Sequence, residues 1–92
     1  MYILIALADG PKHGYAMMLE IESFSGSRPG PGTLYGAIAR LEERGWIEPL
    51  PAEDRRRPYR LTSDGRSVLR ARLEALQAMT AAAQARLRAR MT

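Results

Sequence analysis

Residues 32–47 read Gly-Thr-Leu-Tyr-Gly-Ala-Ile-Ala-Arg-Leu-Glu-Glu-Arg-Gly-Trp-Ile, and this stretch decides the fold. It predicts a helix over about residues 32–44, because its apolar residues recur at steps of four and three, at Leu34, Ile38 and Leu41. A second, polar stripe on the same helix comprises Thr33, Gly36, Arg40 and Arg44. Gly45 follows directly, and glycine commonly ends a helix because it adopts the left-handed conformation without steric cost.

Two further helices are predicted upstream of this stretch. Residues 2–8 are continuously apolar and contain good helix formers, which favours a buried helix over a strand. The Asp-Gly-Pro sequence at 9–11 ends that helix. Residues 13–24 form a second helix, with apolar residues at helical spacing at Met17, Ile21 and Phe24. A loop rich in Ser, Gly and Pro leads to the third helix.

Downstream of Gly45 the pattern changes to that of a hairpin. Residues 46–50 and 58–62 alternate between apolar and polar side chains, and a charged segment separates them. This pattern predicts two antiparallel strands with a basic tip. Pro49 confines its strand to a sheet edge, because proline has no N–H to donate to a second neighbour.

A long helix closes the chain from about Gly65 to Arg90, capped by Thr62 or Ser63. Its steps of four and three form a heptad seam at Leu69, Leu73, Leu76, Thr80, Ala83 and Leu87. The helix is too long for so small a domain to cover, so we expect this seam to form a dimer core. The alternative is packing onto the first helix of the same chain. The arginines of this helix, Arg72 among them, are expected to face solvent.

These elements predict a mainly α fold with a small β-hairpin. Residues 1–62 would form a winged helix-turn-helix domain, and residues 63–92 a C-terminal dimerisation helix. The chain of 92 residues has the length of one domain. No apolar run approaches the 18 residues of a membrane span.

The composition narrows the function. The chain has no cysteine and one histidine, His13, which excludes disulfides, thiolate metal sites and multi-histidine metal sites. No paired carboxylates, nucleophile motif or phosphate loop indicates an enzyme, and no cofactor or metal is expected. The net charge of +4 and the pI of about 10.1 favour an anionic partner, first of all nucleic acid.

Three helices followed by a basic hairpin are typical of a winged helix-turn-helix. The third helix is narrow enough to enter the major groove of DNA, and its small residues near the N-terminus, such as Thr33 and Gly36, permit close approach. The tip arginines would contact an adjacent groove or its phosphates, and these are Arg55, Arg56 and Arg57. The alternative is that this charged run is only a solvated loop.

Four motifs carry a family resemblance: His-Gly-Tyr at 13–15, Gly-Thr-Leu-Tyr at 32–35, Leu-Glu-Glu-Arg-Gly-Trp-Ile at 41–47, and Tyr-Arg-Leu-Thr at 59–62 with Gly65. Together, over about residues 2–75, they resemble the PadR family of transcriptional regulators. The resemblance implies a homodimer paired through its C-terminal helices, and repression by binding a pseudo-palindromic operator of double-stranded DNA. It also implies release by a small aromatic or multidrug-like effector in some members. By resemblance, the residues near DNA are Tyr15, Thr33, Tyr35 and Arg40, with the wing arginines.

Some alternatives remain open from the sequence. Tyr15 and Tyr35 either pack at helix junctions or contact DNA, and a tyrosine can do both. Trp46 is expected in the core, with ligand stacking as the alternative. The competing function is a winged-helix protein-interaction module with little DNA affinity. A regulator of DNA is expected to be cytoplasmic, with no membrane partner.

Overall fold

A computed structural model describes residues 1–91. The elements, in chain order, are α1 (Tyr2–Ala6), β1 (Lys12–His13), α2 (Gly14–Ser25), α3 (Pro31–Glu43), β2 (Ile47–Pro49), β3 (Pro58–Leu61) and α4 (Ser63–Met91). The predicted class is confirmed: the chain is mainly helical, with a small antiparallel sheet and a long C-terminal helix. The sheet has one strand more than the sequence indicated, β1.

Helix α3 forms as its pattern predicts. Pro31 occupies its first turn, where the missing N–H costs no hydrogen bond. Gly45 follows the helix with φ of 76°, the left-handed conformation expected of it. The predicted apolar stripe is buried, and it joins a core built from α1, α2, α3, β2 and the first turns of α4. The most deeply buried side chains of that core are Leu4, Leu7, Met17, Leu34 and Ile47.

Helix α2 begins at a histidine cap and ends at Gly26, which has φ of 77°. The ring nitrogen Nδ1 of His13 accepts a hydrogen bond from the backbone N–H of Ala16 at 3.3 Å. Met17 and Ile21, two of the apolar residues at helical spacing, are buried, whereas the third, Phe24, is 42% exposed. It lies at the end of α2 and packs edge-on against Tyr2, with ring centroids 5.8 Å apart.

The sheet has the strand order β1-β3-β2, with both pairs antiparallel. We call β2, β3 and their connection, residues 47–61, the wing. Pro49 lies in an edge strand, as predicted, while β3 is central. Strand β1 escaped prediction because two residues are too few to show alternation. It brings His13 opposite Pro58, so the start of α2 is fixed to the base of the wing.

Helix α4 is docked at its start and exposed to solvent beyond it. Thr62 caps the helix through its hydroxyl, which accepts the N–H of Gly65 at 3.0 Å. Leu69 is buried in the core, at 6% exposure, whereas every residue from 73 to 91 is exposed. The molecule measures 59 × 26 × 20 Å because this part of the helix projects from it. The alternative in which the distal seam packs onto α1 of the same chain is therefore wrong.

Candidate nucleic-acid interface

Five of the eight residues predicted to contact DNA line one groove between α2, α3 and the wing. They are Tyr15, Tyr35, Arg55, Arg56 and Arg57. His13, Gly14 and Tyr59 complete the lining. We call this the wing groove. Its two tyrosine side chains are more than half exposed, so their rings do not serve mainly as core.

Gly14 determines where Tyr35 lies. A Cβ atom on Gly14 would come within 2.8 Å of the ring carbon Cζ of Tyr35, and closer still to its hydroxyl oxygen. The tyrosine ring therefore lies directly over the first residue of α2. The hydroxyl is held beside the first turn of a 12-residue helix, where free backbone N–H groups favour an anion. A phosphate bound here would meet both the helix terminus and the phenol.

The tip of the wing is a tight two-residue turn. Glu53 and Arg56 exchange two backbone hydrogen bonds, of 2.7 and 2.8 Å. The two residues between them, Asp54 and Arg55, have φ of 47° and 68°. Positive φ at both positions is the signature of the hairpin turn that favours Asn-Gly or Asp-Gly. The sequence places an arginine where glycine would be least strained.

The wing arginines are held to different degrees. Arg57 donates from Nη1 to the carbonyl oxygen of Leu50 at 3.0 Å, which fixes it along the wing. Arg56 lies 3.4 Å, Nη1 to Nε2, from His13. All three guanidinium groups are exposed, so they remain accessible to phosphate.

Thr33 and Arg40 lie on the opposite side of α3. They line a second cavity, of about 310 Å³, which also contains Trp46, Arg44 and Arg72. We call it the Trp46 groove. Gly36 lies between the two grooves, half-buried, and the atom nearest to a Cβ built on it would be Nη1 of Arg40, at 3.7 Å. The eight predicted residues therefore do not form one cluster. Because successive helix residues are rotated by 100°, Thr33 and Arg40 lie on the side of α3 away from Tyr35.

The Trp46 groove is strongly cationic. Its floor is apolar, and no Asp or Glu is among its lining residues. Within residues 1–91, Arg40, Arg44 and Arg72 form no ion pair. Burial, and secondly the Arg72 guanidinium, lower the pKa of the Met1 amino group at the groove's edge. An anion with an apolar body matches these features.

Trp46 organises the cations of this groove. The guanidinium carbon of Arg44 lies 5.1 Å from the centroid of the indole ring, and that of Arg72 lies 5.3 Å from it. Both distances fit cation–π contacts. The ring is half-buried and packs against the core, as expected. The sequence did not reveal Arg72 as its partner, since 26 positions separate the two residues and no periodicity links them.

Other classes of site have no support in the described residues. Across positions 1–91, no three His, Asp or Glu side chains are grouped so that they could hold a metal ion. None of the helices in this part of the chain combines the length and hydropathy needed to cross a bilayer.

Comparison with known proteins agrees with the four motifs. Residues 3–71 match the transcriptional regulator PadR-like family. An uncharacterized 37.1 kDa protein in transposon TN4556 of Streptomyces fradiae is 55% identical over 69 residues, which are 75% of this chain and 20% of that protein. The chain thus spans about a fifth of the length of this curated relative.

Solved structures support the same assignment. A transcriptional regulator from Clostridium thermocellum superposes with a TM-score of 0.76 at 30% identity, covering 85% of this chain and 81% of that one. RosR of H. salinarum gives 0.76 at 27% identity, covering 85% and 71%. A PadR family regulator from Clostridium difficile R20291 gives 0.76 at 23% identity, covering 86% and 88%, and supports the fold alone. Motifs, fold and family match agree, and the chain belongs to the PadR-like family of transcriptional regulators.

Proposed function

We propose that this protein is a sequence-specific repressor that binds a pseudo-palindromic operator as a homodimer in the cytoplasm. In this proposal α3 enters the major groove, with Thr33, Gly36 and Arg40 nearest the bases. Tyr15 and Tyr35 contact the backbone beside it, and the wing arginines reach the adjacent groove. Residues 1–62 bind DNA, and residues 63–92 form the dimer.

The wing groove is the observation that carries the DNA-binding proposal. It joins two exposed phenols, three exposed guanidinium groups and the N-terminus of α2 in one concave surface. Each of these groups donates hydrogen bonds to phosphate oxygens. A protein-interaction module, the competing function, has no need for this concentration of donors.

The exposed seam of α4 supports the homodimer. Leu73, Leu76 and Leu87 are between 41% and 68% exposed in the single chain, and Thr80 and Ala83 continue the same heptad stripe. A second copy would bury this stripe by side-by-side packing of the two helices. Leu69 differs from the others, because it already packs inside its own chain and offers little area to a partner.

The Trp46 groove supports control by a small molecule. Its three guanidinium groups, none of which forms an ion pair within residues 1–91, and its apolar floor suit an aromatic anion. Such a ligand would regulate binding only if it had different affinities for the DNA-bound and free states of the dimer.

The test is binding of the purified protein to the DNA upstream of its own gene and to an unrelated duplex, each at three salt concentrations. We expect preferential binding upstream, weakening steeply with salt, since log K falls by about 0.9 per phosphate contact for each unit of log salt. Equal weak binding to both duplexes would contradict the sequence-specific reading for that fragment. Absence of binding at low salt would support the interaction module.

A variant with Arg55, Arg56 and Arg57 all changed to Ala separates the two functions further. If the protein is a DNA-binding regulator, this variant should bind DNA more weakly. The slope of log K against log salt should become smaller by about 2.7, at about 0.9 for each lost phosphate contact. The interaction module predicts no change. The matched control changes three arginines outside both grooves, Arg66, Arg70 and Arg88, and removes the same charge. This control variant should bind DNA nearly as well as the parent protein.

A further inference from the structure

The start of α4 is fastened to the end of α3 by a tight set of contacts. The hydroxyl of Thr62 donates to the carbonyl oxygen of Gly45 at 2.7 Å, and its backbone N–H donates to the carbonyl oxygen of Trp46 at 3.0 Å. Gly65 approaches the same Trp46 carbonyl so closely that a Cβ would lie well under 3.0 Å from the oxygen. This inner fastening fixes the position of the first turn.

A second fastening lies two turns further along α4. There the Arg72 guanidinium shares the Trp46 indole with Arg44, which is the residue that ends α3. Arg72 is half-buried, and every residue after it, from 73 to 91, is exposed. Arg72 is therefore the last side chain by which the docked part of α4 is held.

Attachment at two points fixes the angle of α4, which attachment at one point does not. A helix held only at its first turn pivots about that point. Leu69, packed in the core, and Arg66, which donates to the carbonyl oxygen of Ala8 at 3.4 Å, lie closer to the pivot than Arg72 does. Arg72 therefore acts with the longest lever on the angle of the helix. From Gly65 to Arg72 is about 10 Å, and the exposed arm beyond extends about 28 Å at 1.5 Å per residue. The end of the arm is thus about 38 Å from the pivot, and a small displacement at Arg72 is amplified roughly fourfold there.

We propose that the contact of Arg72 and Arg44 with Trp46 fixes the distance between the two α3 helices of the dimer, and so selects the spacing of operator half-sites. This inference rests on the proposed function, because it requires the homodimer. Arg72 and Trp46 are positioning residues, which act through the angle of α4 and do not touch DNA. Since one base pair is 3.4 Å of helix axis, a shift of a few ångströms changes which spacing fits.

The distance between the two α3 helices is measurable without knowledge of the operator. The chain has no cysteine, so Ala39→Cys, on the exposed face of α3, gives a single site for a nitroxide spin label. Pulsed dipolar spectroscopy of the labelled dimer reports the distribution of distances between the two labels. We expect one narrow distribution in the protein that is otherwise unchanged.

Removing the Arg72 charge at nearly constant size should broaden that distribution. In Arg72→Gln we expect its width to about double, because the lever amplifies motion of the loosened helix. Arg72→Lys keeps a cation and should restore much of the narrow distribution. Arg70→Gln removes the same charge from an exposed neighbour and should leave it narrow. Circular dichroism verifies that each variant is folded.

The outcomes distinguish a failure of the positioning role of Arg72 from a failure of the homodimer. An Arg72→Gln distribution as narrow as the parent's overturns the positioning role and leaves the homodimer standing. The absence of any dipolar distance in the parent overturns the homodimer and the positioning role with it. If Arg70→Gln broadens the distribution as much as Arg72→Gln, the effect is one of net charge, and the proposal is again wrong.

Discussion

The two sides of α3 have different chemical characters although the same short helix carries both. The wing groove is open, lined by phenols and by guanidinium groups on a hairpin. The Trp46 groove has an apolar floor, and its guanidinium groups are arranged around one indole ring. The first suits the repeated phosphates of a duplex, and the second suits a single compact anion.

Under the proposed function, this difference would allow one 13-residue helix to serve both DNA recognition and control by a ligand. Gly36 lies where the two sides meet, with the Arg40 guanidinium of the Trp46 groove nearest to it. The end of α3 is joined to α4 through Trp46. A ligand in the Trp46 groove would touch α3 and α4 together. Four sets of substitutions test this division, from the largest expected effect to the smallest.

Gly65→Ala should disturb both the wing groove and the Trp46 groove. Its new Cβ would clash with the backbone carbonyl of Trp46 and meet Leu61 Cδ1 at 2.9 Å, and a backbone atom cannot move aside cheaply. We expect a loss of about 3 kcal/mol in the free energy of unfolding. Thermal denaturation followed by circular dichroism measures it. The control Gly36→Ala meets only open space and one arginine nitrogen, and should gain up to about 1 kcal/mol. Equal stability of the two variants would contradict the tight junction.

Gly14→Ala should affect the wing groove alone. The methyl group displaces the Tyr35 ring, which is a movable side chain, so the fold survives while the phenol leaves its position over α2. We expect about a tenfold loss of DNA affinity, the value of one hydrogen bond to a charged group. The control is the same change in a Tyr35→Ala background, where it should cost no further affinity. A full additional loss there would mean that Gly14 acts independently of Tyr35.

Three single arginine variants should separate the two sides by function. Arg56→Gln should weaken DNA binding and lower the salt slope by about 0.9. Arg44→Gln should leave the salt slope of DNA binding unchanged, because Arg44 does not lie in the wing groove. It should weaken binding of an aromatic carboxylate, titrated by the quenching of Trp46 fluorescence. Arg40→Gln, at the boundary, should weaken both kinds of binding, each by about fivefold, since one exposed charged contact contributes about 1 kcal/mol. A salt slope lowered as much by Arg44→Gln as by Arg56→Gln would contradict the division.

The smallest expected effect is the difference between Arg55→Gly and Arg55→Ala, which should be one of stability alone. Glycine relieves the positive φ of 68°, so we expect this variant to exceed Arg55→Ala by about 0.5–1 kcal/mol in unfolding free energy. Both variants lose the same guanidinium, so their DNA affinities should match. Urea titration of the pair provides the measurement. Higher stability of the alanine variant would show that the turn is not strained.

Most of the fold was predictable because it depends on repeating patterns. The stripe of Leu34, Ile38 and Leu41, the glycine after it and the alternating strands each express a period that the structure obeys. Strand β1 and the exposure of Phe24 were not predictable, since neither follows from a period. Both depend on where α1 and the wing meet α2 in space.

The candidate site was predictable in its members but not in its arrangement. Tyr15, Tyr35 and the wing arginines come from distant parts of the sequence, and only the folded chain shows that they share a groove. The partnership of Arg72 with Trp46 had no sequence signal, because arginines recur throughout α4. Gly14 and Gly65 belong to the family motifs, but the sequence does not show why glycine is needed there. The structure shows that the Tyr35 ring approaches Gly14 closely and the Trp46 carbonyl approaches Gly65 closely.

In the proposed homodimer, the exposed arm of α4 would also make the regulator a sensor of its own abundance. A helix that lies uncovered in the single chain would gain its partner only by mass action, so the fraction of dimer would depend on protein concentration. Below the dissociation constant of the dimer, operator occupancy would rise roughly with the square of that concentration. A modest change in synthesis or proteolysis would then change the response of the promoter steeply, without any ligand.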